Sequence, residues 1–176
     1  MTVIQRSQGA TALVGLGELV VGAQVLVDGE WWLYVETPWD VAACAACGTK
    51  AVGHGRTRSQ VRDLPIAGVA SVLVFARRRW RCGDADCEVS TWSEHLDAIG
   101  PRASMTERAR ARLADMVNVE GFTIAAAGGE FGVGWATANA AVAKFTNPVI
   151  DDPSRLEGVT AIGVDEKRLL NATADH

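Results

Sequence analysis

Four cysteines in two pairs constrain this chain more than any other feature of its sequence. Cys44 and Cys47 form a Cys-x2-Cys pair, Cys82 and Cys87 form a Cys-x4-Cys pair, and the chain contains no other cysteine. Each spacing suits a tight turn, so the two thiolates of each turn can meet at one metal ion. Zinc takes four thiolates in closed structural sites. The pairs therefore predict one structural zinc ion that stabilises a small fold and offers no open position to a substrate.

Two disulfides or four free buried thiols are the alternative interpretations of these cysteines. The N-terminal part has no pattern of a secretory signal peptide, and cytosolic thiols stay reduced, which disfavours disulfides. The apolar run at 9–27 is interrupted by Glu18 and several glycines, so it does not predict a membrane span. We therefore expect a cytoplasmic location, at the bacterial nucleoid, and no membrane partner.

The net charge of -4 conceals a strong asymmetry along the chain. Residues 44–87 carry eight Lys and Arg against three acids, whereas residues 1–43 carry one arginine against five acids. A polyanion responds to such a local basic patch rather than to the overall charge. A solvated strand end is the alternative to a phosphate-binding patch. The candidate DNA-binding residues are Arg56, Arg58, Arg62, Arg77, Arg79, Arg81 and Lys144.

The first half of the chain predicts β-structure. Strands at 19–27 and 31–36 flank Asp28-Gly29, which is a hairpin signal. Between the cysteine pairs, strands are predicted at 60–64 and 69–79 around a turn at 65–68. Residues 90–101 are predicted to be a linker.

The second half predicts three helices. Ser104 and Glu107 form a capping box that starts a helix at 104–118, with Ala109, Leu113, Met116 and Val117 on its buried face. Helices at 122–130 and 135–145 follow, and Gly128 lets them cross closely, as in a helix-turn-helix. An ordinary helical hairpin would show the same pattern. A second linker at 147–158 precedes a short apolar strand at 159–164 that ends at Asp165.

Several motifs in this order resemble the ISL-three family of bacterial insertion-sequence transposases. The resemblance runs from about residue 41 to the end of the chain. Besides the cysteine pairs it rests on Arg-Asp-Leu-Pro at 62–65, Arg-Arg-Arg-Trp-Arg-Cys at 77–82, Thr-Trp-Ser-Glu at 91–94, Pro-Arg-Ala-Ser at 101–104 and Ile-Gly-Val-Asp-Glu at 162–166.

The resemblance implies a zinc-binding domain, a helix-turn-helix that helps bind the terminal inverted repeats, and a ribonuclease-H-like domain with three catalytic acids. Asp165 matches the first of these acids. The other two are expected beyond His176, so Asp165 is predicted to be an orphaned catalytic residue, with Mg²⁺ serving only a full-length relative. The implied partners are double-stranded DNA and, for assembly, a second copy of the chain or a full-length transposase.

We therefore predict an α+β chain with a β-layer at 1–43, a zinc-binding domain at 44–92 and a helix-turn-helix domain at 102–147. Residues 148–176 are predicted to be a linker and the first strand of a truncated ribonuclease-H-like domain. The predicted function is the DNA-binding part of a transposase, with catalysis lost by truncation. A stand-alone zinc-ribbon and helix-turn-helix regulator, or a zinc-stabilised protein-interaction module, are the alternatives. The alanine-rich third helix, with Lys144 as its only cation, predicts weak sequence-specific reading.

Overall fold

A computed structural model of the chain describes residues 11, 14–38, 41–161 and 163. This part contains a five-stranded sheet followed by three helices, which confirms the predicted α+β class. None of its helices has the length and apolarity that crossing a bilayer requires. The elements are β1 (Val20–Val27), β2 (Glu30–Glu36), β3 (Val52–Ile66), β4 (Val69–Arg81), β5 (Thr91–Ser93), α1 (Glu107–Asn118), α2 (Ile124–Glu130), α3 (Trp135–Ile150) and a short 3-10 helix at Pro153–Leu156.

One sheet joins the N-terminal hairpin to the strands that lie between the cysteine pairs. Its order is β1-β2-β4-β3, and β5 pairs with the end of β4. The contact between β2 and β4 is parallel, with Trp31 opposite Ser71 and Val35 opposite Phe75, whereas all other pairs are antiparallel. The four predicted domain ranges stay a prediction, although this sheet runs across the boundary placed at residue 44.

Two hairpin turns set the register of the sheet. Asp28 and Gly29 have φ of 48° and 81°, and Ala67 and Gly68 have φ of 52° and 76°. Positive φ at both central residues is typical of the tight turns that match the twist of paired strands. The Asp28-Gly29 hairpin is thus confirmed, while the second turn is shorter than predicted because β3 continues to Ile66.

The strand β3 begins eight residues earlier than the predicted start at 60. Its first half is exposed and carries two glycines, so it lacks the alternating apolar pattern that identifies a half-buried strand. It is nevertheless paired along its length with the end of β4, from Val52 opposite Arg81 to Arg58 opposite Ala76. We call residues 52–58 and 76–81 together the arm, because they project the sheet toward the cysteine turns.

The core of the sheet lies on one face. Val61, Leu73 and Phe75 are fully buried there with residues of β1 and β2. The segment 90–101 covers part of this core through Leu96 and Ile99, which are 2% and 1% exposed. The prediction of a linker at 90–101 is therefore wrong, since its two apolar side chains find a core to pack against and its residues 91–93 form β5.

The first helix starts at Glu107, not at Ser104, and its N-cap is Thr106, whose hydroxyl accepts a hydrogen bond from the Ala109 amide at 3.2 Å. Ser104 is unavailable as a cap because its carbonyl accepts from the Arg62 amide, at 2.9 Å. The Thr106 amide returns a bond of 2.9 Å to the Arg62 carbonyl, so the chain adds to the edge of β3 before the helix begins. Of the predicted buried face, Ala109, Leu113 and Met116 are buried, and Val117 packs partly buried beside them.

The two following helices cross as closely as their sequence predicted. A Cβ atom on Gly128 would lie 3.0 Å from the Val133 carbonyl oxygen and 3.1 Å from the Ala138 Cβ. The third helix continues to Ile150, past Pro148, so the linker predicted to start at 147 begins later. Proline near the end of a helix removes only one hydrogen bond of the last turns.

The strand predicted at 159–164 is not formed by the residues of it that the structure describes. Residues 159–161 and 163 are exposed and lie in no strand. Asp165 and the adjacent Glu166 lie outside the described residues.

A buried charged network attaches the helices to the sheet. Asp63 of β3 is 2% exposed and accepts hydrogen bonds from the Thr106 hydroxyl, at 2.7 Å, and from the Arg108 Nε, at 2.9 Å. A second nitrogen of Arg108 pairs with the other carboxylate oxygen. The turn before α3 also touches the sheet, since Gly132 lies against the ion pair of Arg62 and Glu30. The helices are thus fixed on the sheet rather than tethered to it.

Candidate metal centre and basic surface

Two short chain reversals position the four cysteines. In the first, the Cys44 amide donates to the Thr49 carbonyl at 2.9 Å, and Gly48, with φ of 74°, donates to the Cys44 carbonyl at 2.8 Å. In the second, the Cys82 amide donates to the Ser90 carbonyl at 3.0 Å, and the Asp84 amide donates to the Cys82 Sγ at 3.4 Å. An amide directed at a cysteine sulfur stabilises the thiolate form that binds metal.

The two reversals pack directly on one another. A Cβ atom at Gly83 would lie 2.6 Å from the carbonyl oxygen of Lys50, which belongs to the first reversal. No side chain fits at that distance, so only glycine allows this approach. The close backbone packing brings the two cysteine pairs together.

The four sulfur atoms have the spacing of a tetrahedral metal site. All four Sγ atoms lie within 4.8 Å of one another, with 3.8 Å between Cys44 and Cys87 and 3.4 Å between Cys47 and Cys82. Zinc–sulfur bonds of about 2.3 Å place tetrahedral thiolates about 3.8 Å apart. In the described part of the chain, no other group of three or more metal-ligating side chains converges. The four cysteines form a structural zinc site, as predicted.

The pKa values of three of the four thiols depart from the usual range, and in opposed directions. The hydroxyl and amide of Thr49 donate to Cys47 and lower the pKa of its thiol to about 6. The Val89 amide acts the same way on Cys87, but burial and the neighbouring thiols outweigh it and raise the pKa of that thiol to about 12. Cys82 follows this second pattern: the Asp84 amide is outweighed and its pKa is raised. A bound metal cation favours the thiolate form of its cysteine ligands, so it would act against the raised pKa values of Cys82 and Cys87.

Three of the seven predicted DNA-binding residues bond to other residues of the fold, Lys144 at the surface, where its side chain is 47% exposed. Arg62 pairs with Glu30 at 2.7 Å, and Lys144 pairs with Glu107. Arg77 donates to the carbonyls of Glu94 and Ile99, at 2.9 Å and 2.8 Å. Arg77 therefore fastens segment 90–101 to β4, and its guanidinium is not free to bind phosphate.

The other four arginines lie on the arm. Arg56 forms a pair of 3.3 Å with Glu36, but its side chain is 51% exposed, and such surface pairs are weak. Arg58 and Arg81 are exposed and Arg79 is half-buried. None of these three forms a salt bridge with any residue that the structure describes. The arm thus presents available guanidinium groups next to the zinc site.

The exposed face of α3 offers much less charge. Ala136 and Ala140 are exposed on it, and its single cation, Lys144, is paired. Its N-cap is Gly134, which provides no side-chain hydrogen bond. The sequence-based expectation of a poorly charged third helix agrees with this surface, while its action as a DNA-binding helix stays a prediction.

One cation near α3 was missed by the sequence reasoning. Arg110 of α1 lines a groove together with Ser104 and Thr137. The signal lay in the alternating arginines at 108, 110 and 112 of a predicted helix. Residues two apart on a helix point about 200° apart, so Arg108 binds the sheet while Arg110 faces α3.

Comparison with known proteins identified one related segment. Residues 40–87 match the family described as the zinc-finger of transposase IS204/IS1001/IS1096/IS1165. The matched segment contains all four cysteines and the whole arm. Neither a search of curated proteins nor a search of solved structures gave a match. The match supports the resemblance drawn from the motifs and the structural role of zinc.

Proposed function

We propose that this chain binds double-stranded DNA as the N-terminal portion of an insertion-sequence transposase and recognises the terminal inverted repeats of its element. The observation that carries the proposal is the match of residues 40–87 to a transposase zinc finger, in a segment whose four thiols have tetrahedral spacing. Available arginines beside that zinc site support it further.

Zinc contributes to this function by holding the arm in place and not by taking part in a chemical step. Arg81 directly precedes the ligand Cys82, and it pairs across the arm with Val52 near the first cysteine turn. Fixing both cysteine turns on one ion therefore fixes both strands of the arm. Arg58, Arg79 and Arg81 are then held in place before DNA arrives, which lowers the ordering cost of binding.

Binding is proposed to be mainly electrostatic and only weakly specific. Arginines that contact phosphates attract every sequence equally, whereas base reading needs polar side chains in a groove. The alanine face of α3 supplies few such groups. Discrimination between an inverted repeat and another duplex is therefore expected to be modest, unlike that of a helix rich in Arg, Asn and Gln.

A two-metal reaction needs several convergent carboxylates, and the family resemblance assigns Asp165 as the first of them. That residue lies outside the described part of the structure, so its orphaned role stays a prediction.

Fluorescence anisotropy with zinc-loaded protein tests the proposed function. Labelled duplexes would come from both ends of the element that encodes the chain, with a scrambled duplex and an RNA duplex of equal length as comparators. We expect binding to both DNA duplexes that weakens steeply with salt, and a preference for the element ends of about tenfold or less. No binding to any DNA at about 50 mM salt, or a preference for RNA, would contradict the proposal.

A further inference from the structure

A row of polar side chains leads along β3 from the arm toward the helices. Arg56, Arg58, Gln60 and Arg62 are alternate residues of one strand, so their side chains lie on the same face of the sheet. The first three of these residues are exposed and Arg62 is half-buried. The row spans about 20 Å at 3.3 Å per residue.

Two grooves continue this row onto the helices. The first, of about 310 Å³, lies between the sheet and the turn before α3, and Gln60 and Arg62 line it on the sheet side. The second, of about 330 Å³, lies between α1 and α3, where Arg110 and Ala140 line it. Ser104 and Thr137 line both grooves. The row and the two grooves therefore form one continuous surface, which we call the track.

The chemistry of the track suits a chain of phosphates. Besides three carboxylates, its polar groups are guanidinium, amide and hydroxyl groups, which donate hydrogen bonds to phosphate oxygens. Glu107 is shared by two cations, Arg110 at 3.5 Å and Lys144, so one carboxylate faces two positive charges. Along the whole track four cations face three carboxylates: Arg56, Arg58, Arg62 and Arg110 against Glu30, Glu36 and Glu107. Lys144, outside the two grooves, neutralises part of the charge of Glu107.

We propose that the track is the path of one DNA backbone, so that the arm and the three helices hold a single continuous duplex segment. This inference rests on the proposed function and adds to it the route of the DNA. The part along β3 alone corresponds to about six base pairs of helical rise. Arg110, in this arrangement, supplies the phosphate contact that α3 itself lacks.

Matched substitutions on α1 test the route. Arg110→Gln removes a charge from the track, while Arg112→Gln removes the same charge from the other side of the helix, where it pairs with Glu120. We expect Arg110→Gln to weaken binding about fivefold to tenfold at about 100 mM salt and to lower the salt slope by about 0.9. Arg112→Gln should change the affinity less than about twofold.

A second pair of variants adds a negative charge without substituting any cation, one variant in the track and the other outside it. Ala140→Glu should weaken binding at least as much as Arg110→Gln, whereas Ala125→Glu, at an exposed position of α2, should not. Circular dichroism and the melting temperature establish that each variant is folded. If Arg110→Gln and Ala140→Glu bind like the wild type with an unchanged salt slope, while arm variants lose binding, the track is refuted and the proposed function stands. If the wild type binds no DNA, both fail together.

Discussion

The arm and the third helix both lie in segments whose sequence predicts DNA binding, and the structure separates them. Arg58, Arg79 and Arg81 of the arm have no acidic partner in the described part of the chain, whereas Lys144 of α3 pairs with Glu107. Cations counted along a sequence are therefore not the cations that a ligand meets. Neighbouring side chains decide which of them remain available, and those neighbours come from distant segments.

The two regions also differ in what holds them together. The helices share an apolar core in which Leu113, Phe131 and Ala138 are almost fully buried. The first half of β3 is exposed and brings little apolar surface to the arm. The arm is accordingly expected to depend on zinc and the helices on apolar burial.

Removal of a zinc ligand should give the largest effect, because it should destabilise the arm and leave the helices folded. Cys47→Ser takes one thiolate from a site whose metal contributes about 10 kcal/mol or more in small zinc domains. We expect rapid hydrogen exchange at 41–58 and 79–93, while the centre of β4 and α1 stay protected. Exchange followed by mass spectrometry measures this directly.

Metal analysis provides the companion measurement. Wild-type protein purified without chelator should carry about one zinc per chain. Less than about a tenth of that, with all thiols free, would contradict the zinc assignment.

The hydrogen-exchange experiment on Cys47→Ser has its own contrary outcome. If α1 lost protection as much as the arm did, the helices would also depend on the metal.

Local signals in the sequence were sufficient for the metal site and the hairpin. Cysteine spacing and the Asp28-Gly29 turn depend on residues close together in the chain, so pattern alone identified them. The start of α1 was misplaced because Ser104 and Thr106 are both good caps. A bridge to Arg62, more than forty positions earlier in the chain, decides between them.

Contacts between distant segments were beyond the reach of these patterns. No local sequence pattern indicates that β2 pairs in parallel with β4. This pairing places the N-terminal hairpin in the same sheet as the arm. The exposed beginning of β3 was missed because its pairing is supported by backbone hydrogen bonds and not by burial. The same long-range contacts determine which arginines are free to bind phosphate.

Disruption of the charged network between sheet and helices should give the next largest effect, a loss in the free energy of unfolding. Arg108→Met leaves the carboxylate of Asp63 buried without its cation, which is expected to cost about 3 kcal/mol. Urea unfolding measures the loss. The double variant Asp63→Asn with Arg108→Met should recover part of it, because the unpaired charge is gone. A cost below about 1 kcal/mol for Arg108→Met would mean that the network does not fix the helices on the sheet.

Substitution of the two neighbouring glycines of α2 should change the free energy of unfolding least. The two variants should change it in opposite directions. Gly128→Ala places a Cβ within 3.1 Å of both Val133 and Ala138, so we expect a net loss of about 1–2 kcal/mol. Gly129→Ala meets nothing within 4 Å and should stabilise the helix by up to about 1 kcal/mol. Thermal unfolding of both variants compares the signs. Equal effects would refute the close crossing of α2 and α3.

The salt dependence of DNA affinity tests the central claim, that the zinc-held arm carries the binding, most directly. Wild type is compared with the combined variant Arg58→Ala, Arg79→Ala and Arg81→Ala, with Lys144→Ala as the control cation. We predict that the slope of log affinity against log salt falls by about 2–3 in the combined variant, with affinity lower by about a hundredfold or more at about 100 mM salt, and hardly changes in Lys144→Ala. An unchanged slope and affinity in the combined variant, with binding lost in Lys144→Ala, would contradict the account.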